Sequence, residues 1–256
     1  MIRSLKILDL EQAACQWSKN LPFFQKNAGK EIEFKPGVNI IVGPNGSGKS
    51  TILKTIAMVL HAYQGGVQMV TESSMREIKE FMGKTCRHGV VPDHDGSPLI
   101  YADPSKAVGL IGGSFDDDFL MQGIQNTVNR GSAGQTVMMR LNPAIKAIMG
   151  GVFPEVDWKI HESRVMPEVK ELLAGTGDKV CPTIIFDEPV DSLDFLNEFL
   201  FWGFIKRAVD KAGVQIIMAS HSLMTLTMTT PHFIETEDGY LAKAKDLWIS
   251  HLERTK

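Results

Sequence analysis

Short apolar runs separated by polar turns organise both ends of the chain. Ile2 to Leu8 reads as a strand, and Glu31 to Phe34 as another. Val38 to Val42 (VNIIV) is a compact apolar run bounded by Gly37 and Gly43, the pattern of a strand buried on both faces. Ser50 to His61 then carries helical periodicity. Towards the other end, Thr183 to Phe186 (TIIF) and Val214 to Ala219 (VQIIMA) are again short, apolar and β-rich. Between them Leu196 to Ala212 has the spacing of a helix, and Gly213 supplies its C-terminal stop. Strands alternating with helices predict an α/β fold around a mostly parallel sheet covered on both sides.

The centre differs. From about Pro104 to Asp178 the chain is richer in Gly and Met, and Pro143 and Pro154 punctuate short helical candidates. This pattern predicts a helical lobe, residues 104–178, inserted into an α/β lobe built from residues 1–103 and 179–256. No fixed-period repeat, low-complexity tract or sustained heptad pattern is visible.

Composition narrows the class without choosing a function. The 256 residues hold 27 Lys and Arg against 30 Asp and Glu, a net charge of −3, so no global charge draws the chain to nucleic acid. No apolar stretch approaches the roughly 18 residues of a membrane span, so direct membrane insertion is not expected. Lys6 and Asp9 interrupt the region where a secretory signal would develop its apolar core. Cys15, Cys86 and Cys181 are widely spaced and odd in number, which fits a reducing, cytoplasmic setting better than a disulfide framework or a zinc site.

Candidate chemistry begins at residues 43–51, GPNGSGKST. Gly43, Gly48, Lys49 and Ser50 occupy the fixed places of the pattern G-x-x-x-x-G-K-[ST]. Gly46 and Gly48 let the backbone bend so that successive N–H groups face phosphate oxygens. The following helix start adds a favourable dipole. Lys49 supplies a charge for the β/γ oxygens, and the Ser50 hydroxyl is a Mg²⁺ ligand in such loops. With Pro44, Asn45, Ser47 and Thr51 completing the segment, the whole loop is a candidate nucleotide site. A strand before it and a helix after it supply the context that the pattern requires.

A second constellation lies at residues 183–194, TIIFDEPVDSLD. Asp187 ends an apolar strand, where a carboxylate can hold Mg²⁺ through water or support Ser50. Glu188 follows directly, placed to orient and deprotonate an attacking water. Pro189 stops the strand.

GPNGSGKST, then DEP, then SLD three residues on, then a strand ending in Ser220-His221, resembles the motif order of ABC-type ATPases. Within them the chain is most similar to the soluble ATPase heads of the SMC and DNA-repair group and their small stand-alone relatives. Its opening, IRSLKILDL followed by EIEFKPGVNIIVGPNGSGKST, is like the way those heads begin. The resemblance is specific at both ends and weak through the centre. It implies a P-loop NTPase fold, ATP and Mg²⁺ as cofactors, ATP hydrolysis, and a homodimer with ATP held between subunits.

The same resemblance assigns the signature loop to Gly131-Ser132-Ala133-Gly134-Gln135, where Ser132, Gly134 and Gln135 match the family pattern. That loop would reach the γ-phosphate on the other subunit. His221 becomes the switch histidine, and Asp194 belongs to a loop that contacts the partner. The lobe-linking glutamine has no firm counterpart: Gln68 comes too early, Gln122 and Gln125 lie close before Ser132, and Asp103 stands at the expected junction. Leu10 to Gly29 reads as an insertion, in which Phe23 and Phe24 are core or loop anchors rather than an adenine platform. Asp93-His94-Asp95 is expected to be a turn between Pro92 and Gly96. Asp116 to Asp118 is expected to cap a helix. The basic stretch Arg76 to His88 is expected to be a solvated helix face, with DNA or partner contact as the alternative.

The resulting functional expectation is an ATPase coupled to a protein effector in DNA maintenance or mobile-element (antiviral) defence. The ATP-binding subunit of a membrane transporter and a slow ATP-gated scaffold are the alternatives. The Met-rich TVMMRL after residues 131–135 argues against the transporter, and intact Lys49, Asp187, Glu188 and His221 argue against the scaffold.

Overall fold

The computed structural model describes residues 1–8, 20–60, 62–64, 67–68, 90–95, 97, 99–102, 183–191 and 193–254. In chain order the described elements are β1 (Ile2–Ile7), α1 (Pro22–Asn27), β2 (Glu31–Glu33), β3 (Val38–Val42), α2 (Lys49–Val59), β4 (Tyr63–Gln64), β5 (Val67–Gln68), β6 (Val90–His94), β7 (Leu99–Ala102), β8 (Thr183–Asp187), α3 (Phe195–Ala212), β9 (Gln215–Ala219), a short 3₁₀ turn (Leu223–Thr227), β10 (His232–Glu235) and α4 (Tyr240–Arg254).

The main sheet has the order β10-β3-β9-β8-β7-β4-β5, with every neighbouring pair parallel except β4 with β5. This is the mostly parallel α/β architecture expected from the sequence, a P-loop NTPase sheet. Its central strands are apolar on consecutive positions because both faces are covered. Ile41, Ile185 and Ile217 point to one face, where they pack with Ile52, Leu53 and Ile56 of α2 and with Leu5 and Ile7 of β1. Ile40, Ile184, Phe186, Ile216 and Met218 point to the other, against Phe201, Trp202 and Ile205 of α3. The period of two along each strand thus builds two cores from one run of residues.

Local signals set the ends of α3. Asp194 caps its start by accepting from the Asn197 N–H at 2.9 Å. Gly213, at φ +64°, closes it by donating its N–H to the Val209 carbonyl.

A second sheet, β2-β1-β6, is antiparallel throughout. Here one expectation is corrected. Asp93 and His94 do not form a turn but finish β6, opposite Ser4 and Ile2 of β1. β6 is an edge of this sheet, and an edge strand tolerates Pro92, whose missing N–H costs no ladder bond on its outer side. Among the described residues no group of three or more His, Cys, Asp or Glu side chains could hold a metal on its own. Phe23 and Phe24 are buried at 1% and 2% exposure, the core role expected for them.

Residues 103–182 connect β7 to β8, which are hydrogen-bonded parallel neighbours. The expected helical lobe, its signature loop, the Asp116 to Asp118 cap, the basic stretch and all three cysteines lie outside the described residues. No described helix is long and apolar enough to cross a membrane.

His94 gives this region a pH dependence. Its side chain is 6% exposed, and burial pushes its pKa down to about 4; the Met1 ammonium adds to the shift and Asp95, 3.8 Å away, opposes it. The unfolded chain therefore binds this proton more readily than the folded one. Stability from His94 is full above about pH 6.5 and is lost as pH falls towards 4, by about 3 kcal/mol. Denaturant titrations across pH 4 to 6.5 should show a shallower slope for His94→Gln than for the parent chain. Equal slopes would remove this role from His94.

Candidate active site

Four segments meet at the C-terminal edge of the main sheet. β3 ends at Val42, the glycine-rich loop follows, and α2 begins at Lys49. Positive φ angles at Gly46 (+78°) and Gly48 (+102°) give the loop its curvature, and glycine adopts them without strain. α1 braces the loop from outside. The Phe23 N–H donates to the Ser47 carbonyl at 3.0 Å, and a Cβ on Gly48 would meet Leu21 and Phe23 at 3.3 and 3.4 Å.

Gly43 is constrained differently. A Cβ there would stand 1.7 Å from Thr236 Oγ1 and 2.9 Å from its Cβ. Thr236 follows β10 and ties the loop base to it through its N–H to the Val42 carbonyl at 2.9 Å. Gly43→Ala should therefore overpack the site and destabilise the fold by about 1–3 kcal/mol. A thermal melt unchanged by the substitution would contradict this packing.

Lys49 is 4% exposed. Its Nζ donates to the Gly43 and Pro44 carbonyls at 3.0 and 2.9 Å, so the ammonium lies folded back within its own loop. Burial lowers its pKa from the ordinary lysine value, while the Glu188 and Asp187 carboxylates act to raise it. Those opposing influences reflect the arrangement of the site: one cation and two carboxylates gathered at the loop. Ser50 is exposed at the first turn of α2, with Thr51 half-buried beside it.

Asp187 closes β8, 7% exposed, and accepts from the Tyr101 hydroxyl at Oδ2, 3.2 Å away. Glu188 follows with φ +49°, a left-handed conformation uncommon for a residue with a side chain. Its N–H donates to the Ala219 carbonyl at 3.2 Å. This unusual backbone carries its side chain to His221, whose Nε2 lies 2.9 Å from Glu188 Oε1. The pairing follows from register. Asp187 stands opposite Ala219 on the neighbouring parallel strand, so the residues just beyond each strand end come together.

The segment behind His221 is also fixed. The Ser222 N–H donates to Ser220 Oγ at 3.1 Å, and Ser222 Oγ hydrogen-bonds Glu198 of α3 and accepts from the Met224 N–H at 3.0 Å. Trp202 Nε1 donates to the same Glu198 carboxylate at 3.3 Å. Asp194, by contrast, is an exposed helix cap, its carboxyl held below the ordinary value by hydrogen bonds from Asn197.

The structure thus brings together residues 43–51, Asp187, Glu188 and His221. Ser132, Gly134 and Gln135 lie outside the described residues, as do Asp103, Gln122 and Gln125. Sequence reasoning missed Tyr101, Glu198 and Thr236. Each acts through a neighbour on another element, and no fixed spacing along the chain announces such a contact.

Residues 19–76, which contain the whole glycine-rich loop, match the family model described as an AAA domain, AAA_23. A vitamin B12 import ATP-binding protein of Vibrio atlanticus is 27% identical over 228 residues, 82% of this chain and 79% of that protein. A DNA double-strand break repair Rad50 ATPase of Methanopyrus kandleri is 36% identical over 58 residues, 22% of this chain and 7% of that one. A zinc import ATP-binding protein of Buchnera aphidicola is 23% identical over 198 residues, 76% of this chain and 66% of that protein. Over most of its length the chain is similar to ABC-type ATP-binding proteins, and over a short segment to an SMC-like Rad50 ATPase.

ATPases of this type use ATP with Mg²⁺, and the residues present suit that ion. The available donors are oxygens, the Ser50 hydroxyl and the Asp187 carboxylate. A Mg²⁺ ion takes one or two protein ligands and completes its shell with phosphate and water. A self-sufficient protein cage, absent among the described residues, is not what it requires.

Proposed function

We propose that this ATPase hydrolyses ATP between two copies of itself and couples their closing and opening to a protein effector in DNA maintenance or mobile-element defence. The observation that carries the hydrolytic part is the 2.9 Å contact between Glu188 and His221, beside Lys49 and Asp187. Lys49 exchanges its contacts with the loop carbonyls for the β/γ-phosphate oxygens. Ser50 and Asp187 would hold Mg²⁺, which when bound would neutralise charge on the phosphates. Glu188 orients water and accepts its proton as the water oxygen bonds to the γ-phosphorus and the bond to the β-phosphate oxygen breaks. His221 fixes the Glu188 carboxylate and faces the same water. ADP and phosphate leave.

The inserted lobe, residues 104–178, carries Ser132, Gly134 and Gln135 to the ATP of the opposite subunit. Small residues at a helix start suit an anion. Ser132→Arg should therefore leave nucleotide binding by one subunit nearly intact and remove hydrolysis, because the bulky cation blocks closure. Sizing chromatography with a non-hydrolysable analogue checks this; normal dimerisation and turnover by the variant would remove residues 131–135 from the site.

Similarity to a Rad50 repair ATPase supports the DNA-linked reading. Similarity to vitamin B12 and zinc import ATP-binding proteins supports a second one, in which the chain is the ATP-binding subunit of a membrane transporter. The deciding experiment captures whatever binds the chain when ATP is present and hydrolysis is blocked by Glu188→Gln. A soluble nuclease, toxin or DNA-bound protein supports the first reading; an integral membrane permease overturns it in favour of the second.

A further inference from the structure

We propose that Tyr101 is a positioning residue for the metal–nucleotide site, acting through Asp187. The inference rests on the reading of Asp187 as a metal-site carboxylate. β7 turns Leu99 and Tyr101 into the core that also holds Ile52, Leu53 and Ile56 of α2. Tyr101 is paired in register with Ile185 of β8, two residues short of Asp187. Its phenol spans that distance, and its hydroxyl donates to Asp187 Oδ2 at 3.2 Å. Both side chains are buried, at 2% and 7% exposure.

A buried phenol needs an acceptor, and core packing alone is met by phenylalanine. Here the acceptor is the carboxylate at the end of β8, close enough to Lys49 at the start of α2 to act on its charge. One hydrogen bond to Oδ2 fixes the plane of the carboxylate and limits rotation about its last bond. That restraint matters for an ion such as Mg²⁺, which demands near-ideal octahedral placement of its ligands. The contact Tyr101 makes is with the carboxylate, so its influence on the site runs through Asp187. It sets the direction in which Asp187 presents its charge.

The test uses the full-length chain with ADP and Mn²⁺ as the spectroscopic stand-in for Mg²⁺. In Tyr101→Phe the Mn²⁺ affinity of the ADP-bound protein, read by electron paramagnetic resonance, should weaken about tenfold, the scale of one lost hydrogen bond to a charged group. ADP affinity in EDTA should not change. The kcat for ATP should fall at limiting Mg²⁺ and recover at high Mg²⁺. Leu99→Ala serves as the control for core damage: it truncates the same buried face and should lower Tm while leaving Mn²⁺ affinity in place. Equal weakening in Leu99→Ala, or unchanged Mn²⁺ affinity in Tyr101→Phe, overturns the role given to Tyr101. Asp187→Asn separates this from failure of the underlying reading. Retention of Mn²⁺ affinity by Asp187→Asn overturns both, whereas its loss alongside a normal Tyr101→Phe overturns only the positioning role.

Discussion

Lys49→Ala is expected to abolish tight nucleotide binding. Lys49 is the cation at the loop that faces Asp187 and Glu188. Its Nζ already occupies the concave side of the loop, donating to Gly43 and Pro44 at 3.0 and 2.9 Å. Those two carbonyls hold the ammonium weakly compared with phosphate oxygens, which carry formal charge. Binding ATP therefore trades neutral acceptors for charged ones around a buried ammonium. Without the ammonium, the phosphates would enter beside two carboxylates with nothing of opposite sign on the loop. Breaking a buried charge pairing costs about 3–5 kcal/mol, so the dissociation constant should rise by at least about a hundredfold. Equilibrium binding of a labelled nucleotide measures it. The Tm of the variant should be recorded alongside, because the two loop carbonyls also lose their donor. Retention of parental affinity by a folded variant would sink the assignment of residues 43–51 as the nucleotide site.

The sheet was legible because burial on both faces leaves a strong trace. VNIIV, TIIF and VQIIMA could each be recognised as covered strands, and the structure pairs them as parallel neighbours. The loop was legible because phosphate geometry dictates a fixed order of glycines, lysine and serine. The strand ends were less transparent. β10, His232–Glu235, is four residues long with one buried side chain, so its pattern hardly differs from a loop, yet it delivers Thr236 to Gly43. α4 has no buried residue, and its charged sequence gave no reason to stop at Arg254 or start at Tyr240. Asp93 and His94 misled for a related reason. Their polar character and the flanking Pro92 suit a turn, but the free edge of β1 captured them as a strand. Tyr101 and Glu198 were illegible in principle. Their meaning depends on register between β7 and β8 and on the side of α3 that meets Ser222, which are properties of the assembled fold.

Glu188→Gln should keep ATP binding, slow hydrolysis and accumulate the ATP-bound form. The substitution is isosteric, and the residue's φ of +49° places no greater strain on glutamine than on glutamate. The backbone N–H would still reach the Ala219 carbonyl, and the amide oxygen could still accept from His221 at the position now held by Oε1, 2.9 Å away. What disappears is the ability to take a proton from water. A general base of this kind contributes about 10²–10⁴ in rate, and the variant should lose that factor in kcat. Asp187 remains at the end of β8 with its hydrogen bond from Tyr101, so the ground-state complex should persist. If two copies close around ATP, the unhydrolysed complex should appear as a dimer that requires ATP and Mg²⁺ and vanishes when Lys49→Ala is added. The measurement is ATPase rate together with mass in solution. Turnover at the parental rate would show that Glu188 is not the base, leaving His221 or another carboxylate to act. An inactive variant that stays monomeric at saturating ATP would leave the base assignment standing and remove the sandwiched dimer, and with it the role proposed for Ser132.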